Sequence, residues 1–155
     1  MPNPLGRFFR DRGPMATDMN EVLARLKRRW LNEGIELLPP AAPADIHATF
    51  ARLAAVATPD VIALYTTLGG MSEMDKSYLL IWSLEGIAKQ TPSSEGVVFA
   101  DYMISSWEYR LIRSPGACNA VLVDQGDGVV KEIGPTLEAF LASLEEDPAF
   151  LHAFV

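Results

Sequence analysis

Any chemistry in this chain would have to come from two histidines, one cysteine and an abundance of carboxylates. His47 and His152 lie about a hundred residues apart with Cys118 between them, and no short ligand spacing links any two of the three. Metal sites depend on clustered ligands, so none is expected. The run Asp124-Gln125-Gly126-Asp127-Gly128 has the outline of a calcium loop. Glycines fill its third and fifth positions, where oxygen ligands are needed, and no glutamate stands at the twelfth, so it reads as a turn. Ser105-Ser106 lacks the G-x-S-x-G elbow of a nucleophilic serine. Neither a Walker loop nor G-x-G-x-x-G is present to cradle phosphate. The paired acids, Glu73 with Asp75 and the run Glu145-Glu146-Asp147, read as solvated surface. The residues thus point to a non-enzymatic protein without metal or cofactor.

Aromatic residues beside acids are the remaining lead. Tyr102 and Trp107 bracket a polar turn next to Asp101 and Glu108. Tyrosine and tryptophan dominate binding hot spots because they bury a large area with few rotors. Trp107 fits an interface and a core equally well. Trp30, Trp82 and Tyr109 are expected in the core.

Helical and strand patterns place these residues. Asp18 and Glu21 form a capping-box pattern, followed by Val22, Leu23, Leu26 and Trp30 at helical spacing and by Gly34 as a C-terminal cap. Arg25, Lys27, Arg28 and Arg29 then suit the negative end of the helix dipole better than a nucleic-acid patch. A proline-rich connector, 37–43, precedes a helix expected over 44–56. Thr58-Pro59-Asp60 opens a third helix, closed by Gly69-Gly70 through positive φ. Residues 78–82 are apolar on both alternating faces, which predicts a central strand. Ser83 caps a short helical turn, 97–100 form the next strand, and 101–106 a turn or bulge. Trp107, Tyr109 and Leu111 alternate with Glu108 and Arg110, a strand wetted on one face. A hairpin over 120–133 follows, then a helix capped by Thr136 and a last short one from Asp147-Pro148. Helices, a meander of short strands, then helices again predict an α+β fold. Its sheet, antiparallel or mixed, would have four to six strands packed against the N- and C-terminal helices.

The chain has 155 residues, enough for one domain, with 49% hydrophobic and 21% charged side chains, a globular balance. Its net charge of −7 argues against nucleic acid as a direct partner. That average hides a split: residues 1–34 carry seven basic and four acidic groups, and the remainder six basic and sixteen acidic. Residues 1–14 mix prolines, glycines and arginines without helical period and are expected as a frayed basic arm, with Met15 an alternative start. The single domain then spans 15–155. No apolar run is long enough for a membrane span, no secretory signal is recognisable, and one cysteine precludes an internal disulfide; a cytoplasmic location is expected.

Over roughly residues 40–155 the sequence resembles the SUKH superfamily, which includes fungal cell-wall-assembly regulators and bacterial immunity proteins. The pieces that carry the resemblance occur in family order. They are Thr58-Pro59-Asp60 through Leu68-Gly69-Gly70, Leu80-Ile81-Trp82-Ser83-Leu84-Glu85-Gly86-Ile87, Val98 to Tyr102, the hairpin from Val121 to Val130, and Thr136 to Leu141 with Asp147-Pro148. Thr58 stands where the family often has leucine, and Leu137 where it often has an aromatic residue. The resemblance implies a SUKH-like α+β domain that binds a protein partner, commonly a secreted toxin and often a nuclease. An acidic surface would complement such a basic partner. By position, the expected contact residues are Glu73, Asp75, Asp101, Tyr102, Trp107, Glu108, Asp124 and Asp127. The alternatives are a housekeeping regulator or scaffold with an endogenous protein partner, and an enzyme acting on a small molecule through Asp101 or Glu108. The sequence does not specify an oligomeric state.

Overall fold

Asp18 opens the first described element of the computed structural model, which covers residues 18–154; the basic arm and its boundary lie outside the described residues. The Asp18 carboxylate accepts from the Asn20 N–H at 2.9 Å and caps helix α1 (Met19–Asn32). Gly34, at φ +83°, ends that helix. Its N–H donates to Leu31 O and that of Ile35 to Trp30 O, both at 3.0 Å, the paired bonds that satisfy a helix end. Helix α2 (Pro43–Arg52) closes by the same geometry, Ala54 donating to Ala51 O and Ala55 to Phe50 O, but with Ala54 at φ +55°. No glycine marks that stop, which is why the periodicity over-extended the helix to residue 56.

Helix α3 (Pro59–Thr67) begins as Thr58-Pro59 predicts, but the Thr58 hydroxyl does not cap it. Thr58 Oγ1 donates to Asp60 and accepts from the Asn119 side chain, while Asp60 Oδ2 accepts the Asn119 backbone N–H at 2.8 Å. The pattern meant to start a helix thus fastens it to a strand sixty residues away. The double glycine divides its labour. Only Gly70 has positive φ, at +119°; a Cβ on Gly69 would lie 2.1 Å from Pro39 O, so Gly69 permits close backbone approach.

Five antiparallel strands follow in sequential order: β1 (Leu79–Ile81), β2 (Val97–Tyr102), β3 (Trp107–Ser114), β4 (Cys118–Asp124) and β5 (Val130–Gly134). Helix α4 (Leu84–Ala88) links β1 to β2. Helix α5 (Leu137–Glu146) and a 3-10 turn (Phe150–Phe154) complete the α+β fold. Strand β1, expected in the centre, is at the edge. Its inward Leu79 and Ile81 are buried and its outward Leu80 is half-buried, so burial on both faces does not require a central position. The free edge is covered by the loop before it, through Met71 N–H to Ile81 O and Asp75 N–H to Leu79 O, both 2.9 Å.

The apolar face of the sheet meets α3 and α5, and α1 packs over both. Tyr109, Leu111, Val121 and Val123 join Phe140 and Leu141 of α5 in one core with Leu23, Leu26 and Trp30 of α1. The phenol of Tyr65 donates to Trp82 O at 2.9 Å within that core. The Tyr109 hydroxyl is buried without a hydrogen-bond partner among the described residues. Desolvation pushes both phenols well above their ordinary 10.0, with Tyr102 and Asp101 adding to the effect at Tyr109.

Two outcomes are expected. Ala54→Gly removes a side chain from the left-handed region and raises unfolding stability by about 1 kcal/mol in denaturant titration, a loss of stability being the contrary result. Above pH 10.0, the unfolded chain releases the protons of Tyr65 and Tyr109 while the folded chain retains them. The contribution of these two phenols to stability is therefore fully present below that pH and is lost as the pH rises above it. Their tyrosinate absorbance should develop together with the loss of near-ultraviolet circular dichroism; full ionisation of the wild-type tyrosines in a folded chain would contradict this.

Candidate functional site: the turn end of the sheet

Antiparallel pairing brings most of the predicted contact residues to one end of the sheet. The pairs Asp101↔Glu108 and Glu108↔Asp124 form a row across β2, β3 and β4 on the face opposite the helices. Tyr102 and Trp107 are also paired, and their rings stack with centroids 4.9 Å apart. The β2–β3 turn, the β4–β5 turn carrying Asp127 and the start of β1 all lie at this end. Glu73 and Asp75 join through the loop before β1. Together with Met74, Tyr78, Leu80, Asp101 and Ile104 they line a groove of about 430 Å³.

Burial separates these residues by role. Asp75 is 5% exposed: Oδ2 accepts the Trp30 indole N–H at 2.8 Å and Oδ1 accepts the backbone N–H groups of Ser77 and Leu79. Asp101, 4% exposed, accepts the Trp82 indole N–H at 2.6 Å on Oδ2 and the Ser105 N–H at 3.1 Å on Oδ1. Each of these carboxylates therefore holds an indole and shapes the loop after it. Neither is presented to a partner as an open charge, and Tyr102, at 7% exposure, also faces inward. The expectation of a surface role for these three fails because each closes a hydrogen-bond or packing arrangement. Trp82 departs the other way: it is half-buried on the outer face rather than in the core.

Trp107 and Glu108 are half-buried, and Glu73 and Asp127 are exposed. Arg110 approaches Asp124 at 3.1 Å and Glu108 at 3.8 Å, offsetting part of the acidic row. Asp124 and Asp127 also accept backbone N–H groups from Gly126 and Val129 at 2.9 Å, which fixes the β4–β5 turn.

An apolar surface that the sequence reading does not identify lies at the same end. Of the eight large apolar side chains exposed among the described residues, six (Met74, Tyr78, Met103, Ile104, Val129 and Val130) lie around this end, and Ile104 is 81% exposed. Met103, Ile104 and Ser105 occupy the left-handed region consecutively, at φ +51°, +54° and +61°, and Tyr78 does so at +67°. This region is costly for non-glycine residues, most of all for a β-branched one. The turn is held by Met103 N–H to Tyr78 O at 3.0 Å and by the Asp101 carboxylate. Beside it, His152 packs edge-on against Tyr102 and stacks on Tyr78, while His47 lies on α2. A detectable signal was the composition of Tyr-Met-Ile-Ser-Ser-Trp, a hairpin turn lacking glycine, asparagine and proline.

Among the described residues no group of histidine, cysteine and acidic side chains is arranged to hold a metal ion, and no helix is long and apolar enough to cross a membrane. No protein-family model and no curated protein matches the chain.

The two kinds of acid separate under substitution. Asp101→Ala strands the Trp82 indole and the Ser105 amide and is expected to cost about 2–3 kcal/mol in unfolding free energy. Glu73→Ala, in solvent, should change it by less than about 0.5 kcal/mol. Equal effects in thermal or denaturant melts would contradict the division.

Proposed function

We propose that this chain is a non-enzymatic, SUKH-type protein-binding module: an immunity protein that neutralises a basic toxin through the turn end of its sheet. The observation that carries the reading is the cluster of exposed Met74, Tyr78, Met103 and Ile104, held on a backbone that local preferences oppose. Local rules are broken most often where function demands it. Strain there is useful because it presents apolar side chains in a fixed arrangement before the partner arrives, reducing the ordering cost of binding. Contiguous exposed apolar surface is otherwise a liability for a protein in water.

Charge supports the nature of the partner. Residues 18–154 contain ten basic and nineteen acidic side chains; Glu73 lines a groove with Met74, Tyr78 and Ile104, and Glu108 and Asp127 lie at the same end of the sheet. Such an arrangement speeds encounter with a basic protein and repels nucleic acid, leaving the apolar centre to supply affinity. A nuclease toxin, basic because it binds phosphate, fits this description. The order of helices, double glycine, strands and hairpin supports the SUKH type, and a cytoplasmic site of action follows from the proposal.

The test uses the product of the gene adjacent to this one, which the proposal requires to carry a toxin domain. The purified chain should bind it, with Ile104→Asn weakening affinity about 100-fold while leaving the melting temperature equal or higher, because asparagine tolerates the left-handed region. Absence of binding at about 10 μM, well above the affinities of stable complexes, would overturn the proposal. So would unchanged affinity of the Ile104→Asn variant.

A further inference from the structure

A second groove lies on the other side of Leu80. It has a volume of about 490 Å³ and is lined by residues Met71, Leu80, Trp82, Ser83, Gly86, Lys89 and Gln90. Small-molecule sites commonly have this size and an apolar lining with a few polar groups. We infer that this groove binds a small amphipathic carboxylate, its ring or aliphatic body against Leu80 and Trp82 and its carboxylate at Lys89.

The polar inventory selects that class. The Trp82 indole N–H is committed to Asp101 at 2.6 Å, which fixes the ring without leaving it a donor for a ligand. Both ends of the Gln90 amide are committed to Val98, Nε2 to its carbonyl at 2.6 Å and Oε1 from its N–H at 2.8 Å. Lys89 is exposed and forms no ion pair with a carboxylate among the described residues. Ser83 Oγ accepts the Gly86 N–H at 3.1 Å and keeps its own proton available to an acceptor. The groove therefore offers apolar wall, one cation and one hydroxyl donor, complementary to an apolar body with a single anion. An added peptide strand is disfavoured, because the free edge of β1 is already paired with Met71 and Asp75.

Gly86 supplies a test that spares the fold. A Cβ there would lie 3.5 Å from Ser83 Oγ and 3.8 Å from Trp82 Cβ, which are ordinary contacts, and glycine is a poor helix former. Gly86→Leu should therefore fold while filling the groove, and Lys89→Met removes the charge while keeping the stem. The probe is naphthoate, followed by calorimetry and by the three indole N–H resonances of the labelled chain. Naphthoate should bind and shift the Trp82 indole resonance but not that of buried Trp30. It should bind about fivefold more tightly than neutral naphthylmethanol, an advantage lost in Lys89→Met. Gly86→Leu should abolish binding with its melting temperature retained. No binding at about 1 mM, the weak limit of specific association, would overturn the inference. Equal affinity for naphthylmethanol or naphthylmethylammonium, or a stationary Trp82 resonance, would do the same. The outcome is independent of the toxin test, since no protein partner is involved.

Discussion

A buried carboxylate gripping an indole N–H is the constraint on which the remaining structure depends, and the chain uses it twice. Asp75 joins Trp30, the last buried residue of α1, to the loop that enters β1. Asp101 joins Trp82, just beyond β1, to the turn that leaves β2. An anion withdrawn from water is costly unless its lone pairs are occupied. Asp75 meets that demand with three N–H donors and Asp101 with two. The satisfied acids in turn fix the backbone on both sides of the short edge strand, which has only three residues of its own pairing.

From this arrangement the two surface features follow. The Asp101 carboxylate accepts the Ser105 N–H and so helps to hold the left-handed turn that displays Met103 and Ile104. The same carboxylate orients Trp82, which lines the groove beyond Leu80. A residue that looks like a surface acid in the sequence is thus a positioning residue for both neighbouring surfaces. The network of Thr58, Asp60 and Asn119 plays the corresponding part at the far end of the sheet, fastening α3 to the beginning of β4.

The α+β order, the strand alternation of Trp107 to Leu111 and the caps at Asp18, Ser83 and Thr136 were legible because each depends on neighbours within a few residues. What escaped depends on contacts distant in sequence. The edge position of β1 rests on the loop that covers it, and two consecutive apolar faces do not distinguish that cover from a neighbouring strand. The end of α2 escaped because Ala54 does the work usually given to glycine. Among the candidate contacts, position alone grouped Asp101, Glu108 and Asp124, but acidity was mistaken for exposure at Asp75 and Asp101. No local pattern marks which acid will meet an indole from another element. The apolar cluster escaped for the complementary reason: in sequence, Met103 and Ile104 fall in a turn or bulge over 101–106, and nothing local shows that their side chains stay exposed.

The central claim is that the turn end of the sheet, rather than the helical face, meets the partner. Backbone amide exchange of the chain, measured alone and with the product of the adjacent gene that the proposal takes as its partner, tests it directly. The account predicts new protection confined to the turns at 103–106 and 125–129 and to the loop at 73–78. Protection appearing instead on α1 and α2, with those turns unchanged, would contradict it.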